Sequence, residues 1–266
     1  MNAAFGNWIR LRIVVTFLLA GLVIGAAMAA AAWLLAPDVR IQLAMWAVAA
    51  LPLGIGLYLS YVDLMFGAGG VQRRLWNVVL DALVWDGSGE ALDIGTGQGA
   101  LAVMLAVRKP AARVIGVDLW AADWEYSKAA CERNAVALGV QDRVRFERAS
   151  AAALPFGDES MDAVVSHFVF HEVKDGVAGV QGALGAFAEA VRVLKPGGAL
   201  AVQDMFFDAR VYGEAGALAA KLRAMGLDEV KLSRLSARTR IPWGLGGRRV
   251  LGCAGLVTAV KRRGAV

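Results

Sequence analysis

One short stretch of this chain, residues 91–99, restricts the fold more than any other feature. Its sequence is Ala-Leu-Asp-Ile-Gly-Thr-Gly-Gln-Gly, an apolar strand that runs into three closely spaced glycines, and a helix-like segment follows at 100–107. Glycine lets the backbone turn sharply and approach a ligand closely, and the start of a helix offers unpaired N–H groups. A second apolar strand ends at Asp118, 23 residues after the first glycine, where open α/β sheets place a carboxylate against ribose hydroxyls. The pattern predicts a site for an adenosine-containing cofactor.

The spacing of the glycines and the residue before them distinguish between such cofactors. The dinucleotide-binding pattern G-x-G-x-x-G has its third glycine one position later than Gly99. Asp93 stands two residues before the first glycine, where a carboxylate would repel a pyrophosphate but attract a positively charged ligand. S-adenosylmethionine has an ammonium group, a sulfonium and no phosphate. The residues therefore favour S-adenosylmethionine over NAD as the cofactor.

Further motifs follow the glycines in a fixed order. They are Asp118, Ala152-Ala-Leu-Pro-Phe156, Met161-Asp-Ala-Val-Val-Ser166 and Val193-Leu-Lys-Pro-Gly-Gly198. With residues 93–99 they resemble the ordered motifs of class I S-adenosylmethionine-dependent methyltransferases, most closely the branch that acts on small molecules and quinones. The resemblance covers residues 71–262. It implies an α/β, Rossmann-like fold, a mostly parallel and doubly wound sheet with a final antiparallel strand, and the alternating strand and helix segments also indicate such a sheet.

The resemblance also implies which residues contact the cofactor. They come from the glycine loop, the end of the second strand, the segment after the third strand and the end of the fourth: Asp93, Gly95, Thr96, Gly97, Gln98, Asp118, Leu119, Ser150, Ala151 and Ser166. One position departs from the family pattern. Relatives commonly place an aspartate near the adenine amino group, and Ser150 stands there in this chain. A serine hydroxyl can still accept that hydrogen bond.

Both histidines of the chain follow the fourth strand, where we expect the reacting atoms. We expect His171 to contact the substrate or to act as a general base, because the pKa of histidine lies near working pH. His167, Asp204 and Tyr212 are the other candidates for substrate contact. Hydrogen-bonded histidines that only line the pocket are an alternative. The spacing of His167 and His171, with Glu172 adjacent, is also compatible with a shared metal ion. No third ligand at a fixed spacing supports such a site, and we expect no metal.

Composition indicates a segment that does not belong to this fold. Of the 266 residues, 58% are hydrophobic, which is above the 45–50% usual for globular proteins. The excess of hydrophobic residues lies in the N-terminal part of the chain. Residues 13–36 and 41–62 are runs of 24 and 22 residues without a charge, and about 20 suffice to cross a bilayer as a helix. We expect a transmembrane hairpin over residues 1–66 and the catalytic domain over residues 67–266. A cleaved signal peptide is an alternative, although its apolar core spans only about 7–15 residues.

Basic residues predict the orientation of the hairpin. Arg10 and Arg12 precede the first apolar run, Arg73 and Arg74 follow the second, and Arg40 is the only basic residue in the turn between them. By the positive-inside rule both ends, and with them the catalytic domain, face the cytoplasm. The two cysteines are not spaced as C-x-x-C. Isolated cysteines of this kind are typical of reduced thiols in the cytoplasm.

The net charge of +5 is unevenly distributed. Residues 67–220 hold 14 basic and 19 acidic side chains, whereas residues 221–266 hold 11 basic and 2 acidic ones. Within the second region, residues 238–249 combine arginines with Trp243 and Leu245, a mixture that suits the headgroup depth of an anionic leaflet. A solvated loop between two strands is the alternative. Nucleic acid is not an expected partner, because no Asn/Asp-Pro-Pro-Tyr/Phe motif follows the fourth strand.

Together these observations predict a membrane-anchored, S-adenosylmethionine-dependent methyltransferase whose partners are the bilayer and a lipophilic small-molecule substrate, such as a prenylated quinone. A water-soluble substrate stays open, with the hairpin serving only localisation. A second class of function also stays open, namely a catalytically silent S-adenosylmethionine-binding scaffold in a membrane complex.

Overall fold

The computed structural model of the chain describes residues 5, 11–35, 38–67, 70–121, 126–173, 180–247 and 251–264. Contacts divide the chain into two compact units, one from residue 7 to 72 and a second from residue 73 onward, which Phe5 joins. Two long helices make up the first unit, and a sheet with flanking helices makes up the second.

The first unit is a hairpin of two helices, α1 (Leu11–Leu35) and α2 (Val39–Phe66). Asp38 caps α2, because its side chain accepts a hydrogen bond from a backbone N–H in the first turn. The helices approach closely at two glycines. A Cβ on Gly21 would lie 2.8 Å from the backbone of the facing helix, and a Cβ on Gly56 would lie 3.0 Å from it. Small residues at such crossings are typical of helices that pack in membranes.

By length and composition, both helices are apolar enough to cross a bilayer, over Arg12–Leu34 and Val39–Phe66. Only 11% and 6% of their most apolar windows are buried in the structure, so neither resembles the covered core helix of a soluble protein. They coincide with the predicted spans at 13–36 and 41–62, apart from Ala36, which lies outside the described residues. The division of the chain into domains after residue 66 stays a prediction.

The second unit contains a seven-stranded sheet. Its strands, in chain order, are β1 (Gly89–Ile94), β2 (Ala112–Asp118), β3 (Val144–Arg148), β4 (Met161–His167), β5 (Leu194–Asp204), β6 (Leu227–Arg234) and β7 (Gly255–Lys261). Their order across the sheet is β3-β2-β1-β4-β5-β7-β6. The first five strands are parallel, and β7 runs antiparallel to both of its neighbours. The prediction of a mostly parallel, doubly wound sheet with a final antiparallel strand is confirmed.

Helices connect the strands. In chain order they are α3 (Val71–Ala82), α4 (Ala100–Arg108), α5 (Lys128–Ala137), α6 (Val180–Val193), α7 (Ala209–Tyr212) and α8 (Ala215–Ala224). The sequence pattern does not predict α7, because four residues are too few to show a helical period. The sequence predicts that the helix before Gly139 begins at Trp124, a residue that lies outside the described residues.

The apolar run 199–203 predicts that β5 begins at Ala199, but the strand begins earlier, at Leu194. Leu194 already pairs with Met161, after which the register shifts until Ala199 pairs with Ala163. The residues between these two pairs, 195–198, include Pro196, Gly197 and Gly198, which by themselves predict only the end of the preceding helix. Proline and glycine are tolerated there because a bulge does not require every backbone N–H to join the ladder.

The sheet is buried on both faces, and its carboxyl ends form one edge. Leu92 and Ile94 pack into the cluster on one face, whereas Ala91 packs into the cluster on the other face, as the alternation of a strand requires. Because β1, β2, β4 and β5 are parallel, their carboxyl ends meet at the same edge, which is where ligands bind in open α/β sheets. This carboxyl edge carries the glycine loop, Asp118 and Asp204.

Candidate functional site

The glycine loop joins β1 to α4 at the carboxyl edge, and its backbone conformation favours glycine. Gly95, Gly97 and Gly99 have φ angles of 72°, 57° and 82°, in the left-handed region that other residues rarely adopt. A Cβ on Gly95 would lie 2.1 Å from the side chain of Val169, so this position has no room for a side chain either. The N–H groups of Gly95 and Thr96 donate to the carbonyl of Val117 at 2.8 and 2.9 Å, and that of Gly99 donates to the carbonyl of Thr96 at 2.8 Å, so the backbone of the turn is held by its own hydrogen bonds. The start of α4, which follows the loop, is the part that can offer N–H groups to a ligand.

Side chains from neighbouring segments fix the shape of the loop. The carbonyl of Gly97 accepts hydrogen bonds from the indole of Trp120 at 2.9 Å and from the thiol of Cys131 at 3.2 Å. Burial raises the pKa of Cys131 to about 12, so the thiol keeps the hydrogen that it donates. Asn134 donates to the carbonyl of Gln98 at 3.0 Å. None of these three hydrogen bonds to the loop was predicted from the sequence. Only the position of Trp120, close to the end of β2, could have indicated that its side chain reaches the loop.

Asp93 lies in β1 and is 1% exposed. Its Oδ2 accepts hydrogen bonds from the hydroxyl of Thr96 at 2.6 Å and from the backbone N–H of Ala102 at 3.1 Å, so the carboxylate holds the loop against α4. Burial, with the charge of Asp118, raises the pKa of Asp93 to about 7, against the opposing effect of these two bonds. Oδ1 has no hydrogen-bond partner among the described residues. A positively charged donor, such as an ammonium group, would satisfy it and favour the carboxylate form.

Asp118 ends β2 and is half-buried. Its Oδ2 accepts the N–H of Gly97 at 2.9 Å, and its Oδ1 accepts the N–H of Trp120 at 2.8 Å. Each carboxylate oxygen can accept a further hydrogen bond, which leaves capacity for the two hydroxyls of a ribose. Leu119, the next residue, is 48% exposed and offers an apolar surface of the kind that a purine ring covers. The arrangement fits the nucleoside part of the expected cofactor.

The remaining predicted cofactor contacts differ in their surroundings. Ser150 and Ala151 follow β3 and are half-buried, and the hydroxyl of Ser150 accepts the N–H of Ala152 at 3.2 Å. That hydroxyl has a second lone pair for a ligand. Ser166 is fully buried in β4, and its hydroxyl donates to the carbonyl of Ile94 at 2.8 Å. Ser166 therefore ties β4 to β1 inside the sheet.

A histidine and an aspartate from separate segments meet at the carboxyl edge. His171 lies in a short 3₁₀ turn, Phe170–Glu172, after β4, and Asp204 ends β5. The Nδ1 atom of His171 lies 2.6 Å from Oδ1 of Asp204, and the backbone N–H of His171 donates to Oδ2 at 3.2 Å. Asp204 is fully buried, whereas the side chain of His171 is 20% exposed. Two of the predicted candidates are thus one unit, called here the His–Asp pair.

The environment of His171 suits a proton acceptor. Burial acts to lower the pKa of His171, but the hydrogen bond and charge of Asp204, with the charge of Glu172, outweigh burial and raise the pKa above its ordinary value of 6.5. A carboxylate can only accept, so Nδ1 carries the shared hydrogen and Nε2 is the atom that can take up a proton. A histidine oriented by a carboxylate in this way is the arrangement of an activated general base.

The two other candidates lie close to this pair. His167 ends β4 beside Gln203, with its ring centroid 6.4 Å from that of Trp76. Burial lowers the pKa of His167 to about 4, against the effects of Gln203 and Asp204, so its imidazole is neutral. Tyr212 is 1% exposed, and burial with the charge of Asp204 raises the pKa of its hydroxyl well above the usual range. No cluster of three or more His, Cys, Asp or Glu side chains in the described ranges is arranged to hold a metal ion.

Comparison with known proteins gives a family match in the region that forms this site. Residues 92–202 match the family model described as methyltransferase domain. A demethylmenaquinone methyltransferase of Thermus thermophilus is 40% identical over 53% of this chain and 57% of its own length. An erythromycin 3''-O-methyltransferase of Saccharopolyspora erythraea is 34% identical over 59% of this chain and 50% of its own length. The chain thus spans about half the length of the curated relatives that it matches.

The fold also occurs among solved structures. The geranyl diphosphate C-methyltransferase of Streptomyces coelicolor, solved with Mg²⁺, geranyl diphosphate and S-adenosyl-L-homocysteine, is similar over 75% of this chain and 82% of its own. The TM-score is 0.54 and the sequence identity is 20%. At this identity the similarity shows a shared fold.

Proposed function

We propose, from the match of residues 92–202 to the methyltransferase domain family, that the protein transfers a methyl group from S-adenosylmethionine to a lipophilic small molecule at a membrane. The match supports the family and the cofactor that the five ordered motifs predicted. The observation that carries the proposed reaction is the convergence of the glycine loop, Asp118 and the His–Asp pair at one edge of the sheet.

The residues at this edge fit S-adenosylmethionine. The acceptor Oδ1 of Asp93, which has no hydrogen-bond partner among the described residues, suits its ammonium group, and the N–H groups at the start of α4 suit its carboxylate. Asp118 would hold the ribose hydroxyls, and Leu119 and Ser150 would contact the adenine. When bound, the cofactor supplies an electrophilic methyl group on a sulfonium. The chain itself supplies the alignment of the nucleophile with that methyl group and the exclusion of water.

His171 is the residue that we assign to proton removal from the substrate. Asp204 fixes the imidazole ring with its Nδ1–H toward the carboxylate, so that Nε2 accepts a proton from the attacking group. The positive charge that then develops on the ring is stabilised by Asp204 and Glu172, the same groups that raise the pKa of His171 against burial. The function of Asp204 is therefore to position His171 and to stabilise its protonated form.

Two observations support a lipophilic substrate. A relative is named for demethylmenaquinone, a quinone, and two apolar helices with little buried surface precede the catalytic domain. A domain anchored in this way meets molecules that partition into the bilayer, whereas a water-soluble substrate requires no anchor. The arginines at both ends of the hairpin favour a catalytic domain on the cytoplasmic side.

The catalytic part of the proposal is tested by the release of S-adenosylhomocysteine from S-adenosylmethionine. We expect the full chain in nanodiscs to release S-adenosylhomocysteine when the organic phase of a membrane extract is added. We expect no release when the aqueous phase is added. Turnover with the aqueous phase alone would assign a soluble substrate. Cofactor binding without turnover on either phase would instead indicate a scaffold.

The apolar hairpin predicts an integral membrane protein. Alkaline carbonate should leave the full chain in the membrane fraction, because each helix is long enough to span the hydrocarbon layer. The matched variant replaces Leu22 and Leu51, which are 61% and 65% exposed near the middle of α1 and α2, with arginine. Arginine costs about 2.5–3.5 kcal/mol at the centre of a membrane helix, so this variant should lose retention. Release of the unchanged chain by carbonate would contradict the anchor.

A further inference from the structure

The described residues between β6 and β7, 235–247 and 251–254, begin and end at the carboxyl edge of the sheet, and we call them the edge segment. Strand β7 pairs antiparallel with β5, so that Gly255 lies opposite Asp204, and β6 ends with Arg234 opposite Gly255. The chain therefore enters β7 next to Asp204 and leaves β6 one strand farther along the same edge. The guanidinium of Arg234 also lies 4.0 Å from the ring centroid of Phe207, three residues after Asp204. The base of the edge segment thus borders the proposed site.

Buried leucines fix the described part of the edge segment to the fold. Leu235, Leu245 and Leu251 are each at most 1% exposed, and the backbone N–H of Leu251 donates to the carbonyl of Leu245 at 3.0 Å. The expectation that Leu245 faces lipid headgroups is wrong, because its side chain packs inside the fold. Arg248 and Arg249, which belong to the same predicted mixture, lie outside the described residues.

The exposed surface of the edge segment is basic and aromatic. Trp243 is 91% exposed, and Arg238 and Arg240 are exposed as well. Tryptophan is highly buried on average, and its combination with arginine is typical of side chains at headgroup depth. Residues 230–266 contain nine Lys and Arg and no Asp or Glu. This charge complements an anionic lipid surface.

We propose that the edge segment docks on the anionic headgroups of the bilayer and thereby opens the methyl-transfer site toward substrates dissolved in the membrane. The proposal rests on the anchoring and the lipophilic substrate of the proposed function. Trp243 enters the headgroup layer, while Arg238 and Arg240 pair with lipid phosphates. The buried leucines pack the described part of the segment against the fold, so docking orients the whole edge rather than a loose loop.

A probe on a single introduced cysteine tests this docking in the full chain held in nanodiscs. Both native cysteines, Cys131 and Cys253, are buried, so a maleimide dye labels the introduced one. Gly246→Cys places the dye three residues after Trp243, where a Cβ meets nothing within 4 Å. Gly157→Cys is the matched control, because it is equally open and precedes β4, at the opposite edge of the sheet.

In nanodiscs with roughly 30% phosphatidylglycerol, lipids with nitroxide headgroups should quench the dye at position 246 about threefold more than the dye at 157. Phosphatidylcholine alone should reduce the difference. The variant with Arg238→Glu, Arg240→Glu and Trp243→Ala should remove it, because it lacks both the cations and the aromatic anchor.

Equal quenching at positions 246 and 157, in a chain that stays in the nanodiscs, would overturn the docking while leaving the anchor intact. Loss of the chain from the nanodiscs would overturn the anchor, and the docking with it. A dye at 246 that responds to a short RNA and not to anionic lipid would assign the surface to nucleic acid and would likewise overturn the proposal.

Discussion

Replacement of His171 with glutamine should lower the turnover number by about 10²–10⁴-fold, the range that general acid–base catalysis contributes. Glutamine keeps a polar side chain of similar size but cannot take up a proton near neutral pH. The affinity for S-adenosylmethionine should change by less than about twofold, because an interaction made only in the transition state alters turnover rather than binding. Initial rates of S-adenosylhomocysteine release and calorimetry on the full chain measure the two quantities. A variant that keeps most of its turnover would remove His171 from the reaction.

The pH dependence of the rate distinguishes a catalytic His–Asp pair from a merely structural one. The rate should rise as pH increases through the pKa of His171, because only the neutral ring accepts a proton. Burial lowers that pKa, but Asp204 and Glu172 outweigh it and raise the pKa above 6.5. Asp204→Asn removes the negative charge that raises the pKa of His171 against burial. The rise of the rate should therefore move to lower pH, and the rate on the plateau should fall. His167→Gln is the control, since burial holds the pKa of His167 at about 4 and its loss should leave the midpoint in place. A midpoint that Asp204→Asn does not move would contradict the pairing.

Replacement of Asp118 with alanine should weaken the binding of S-adenosylmethionine by about 10–100-fold. The carboxylate accepts the N–H of Gly97 and has lone pairs left for the ribose hydroxyls, and hydrogen bonds to a charged group contribute about 1.5–3 kcal/mol. Asp142→Ala is the matched control, because that carboxylate is exposed in the turn before β3, at the opposite edge of the sheet. Calorimetry on both variants gives the comparison. Equal dissociation constants for the two would exclude Asp118 from the cofactor site.

Most of the sheet could be predicted from the sequence because its signals are local. Each central strand is a short apolar run, and glycines or polar turns mark where most of the runs end. The start of β5 could not be predicted in this way. It depends on the pairing of Leu194 with Met161 across a bulge, and nothing in the residues 195–198 themselves indicates that partner. Pairing between strands is decided by the fold as a whole.

The candidate site was predictable where function follows from position along a strand. Asp118 was expected at the end of β2 and lies there. The contact between His171 and Asp204 joins residues that are 33 positions apart, and only the adjacency of β4 and β5 brings them together. Asp93 was expected to attract a ligand, but one of its oxygens holds the glycine loop, a use that depends on the path of the backbone at 96–102. Tertiary contacts of this kind produce no recognisable residue spacing in the sequence.

The methyl acceptor can be identified directly with S-adenosylmethionine that carries a trideuterated methyl group. The full chain in nanodiscs is incubated with membranes from cells that lack the protein, and the organic and aqueous phases are analysed by mass spectrometry, with Asp118→Ala as the control. We predict that the label enters a molecule of the organic phase and that the control transfers much less of it. Label confined to water-soluble molecules, or no transfer by a chain that binds S-adenosylmethionine, would contradict the assignment of this protein as a methyltransferase of lipophilic substrates.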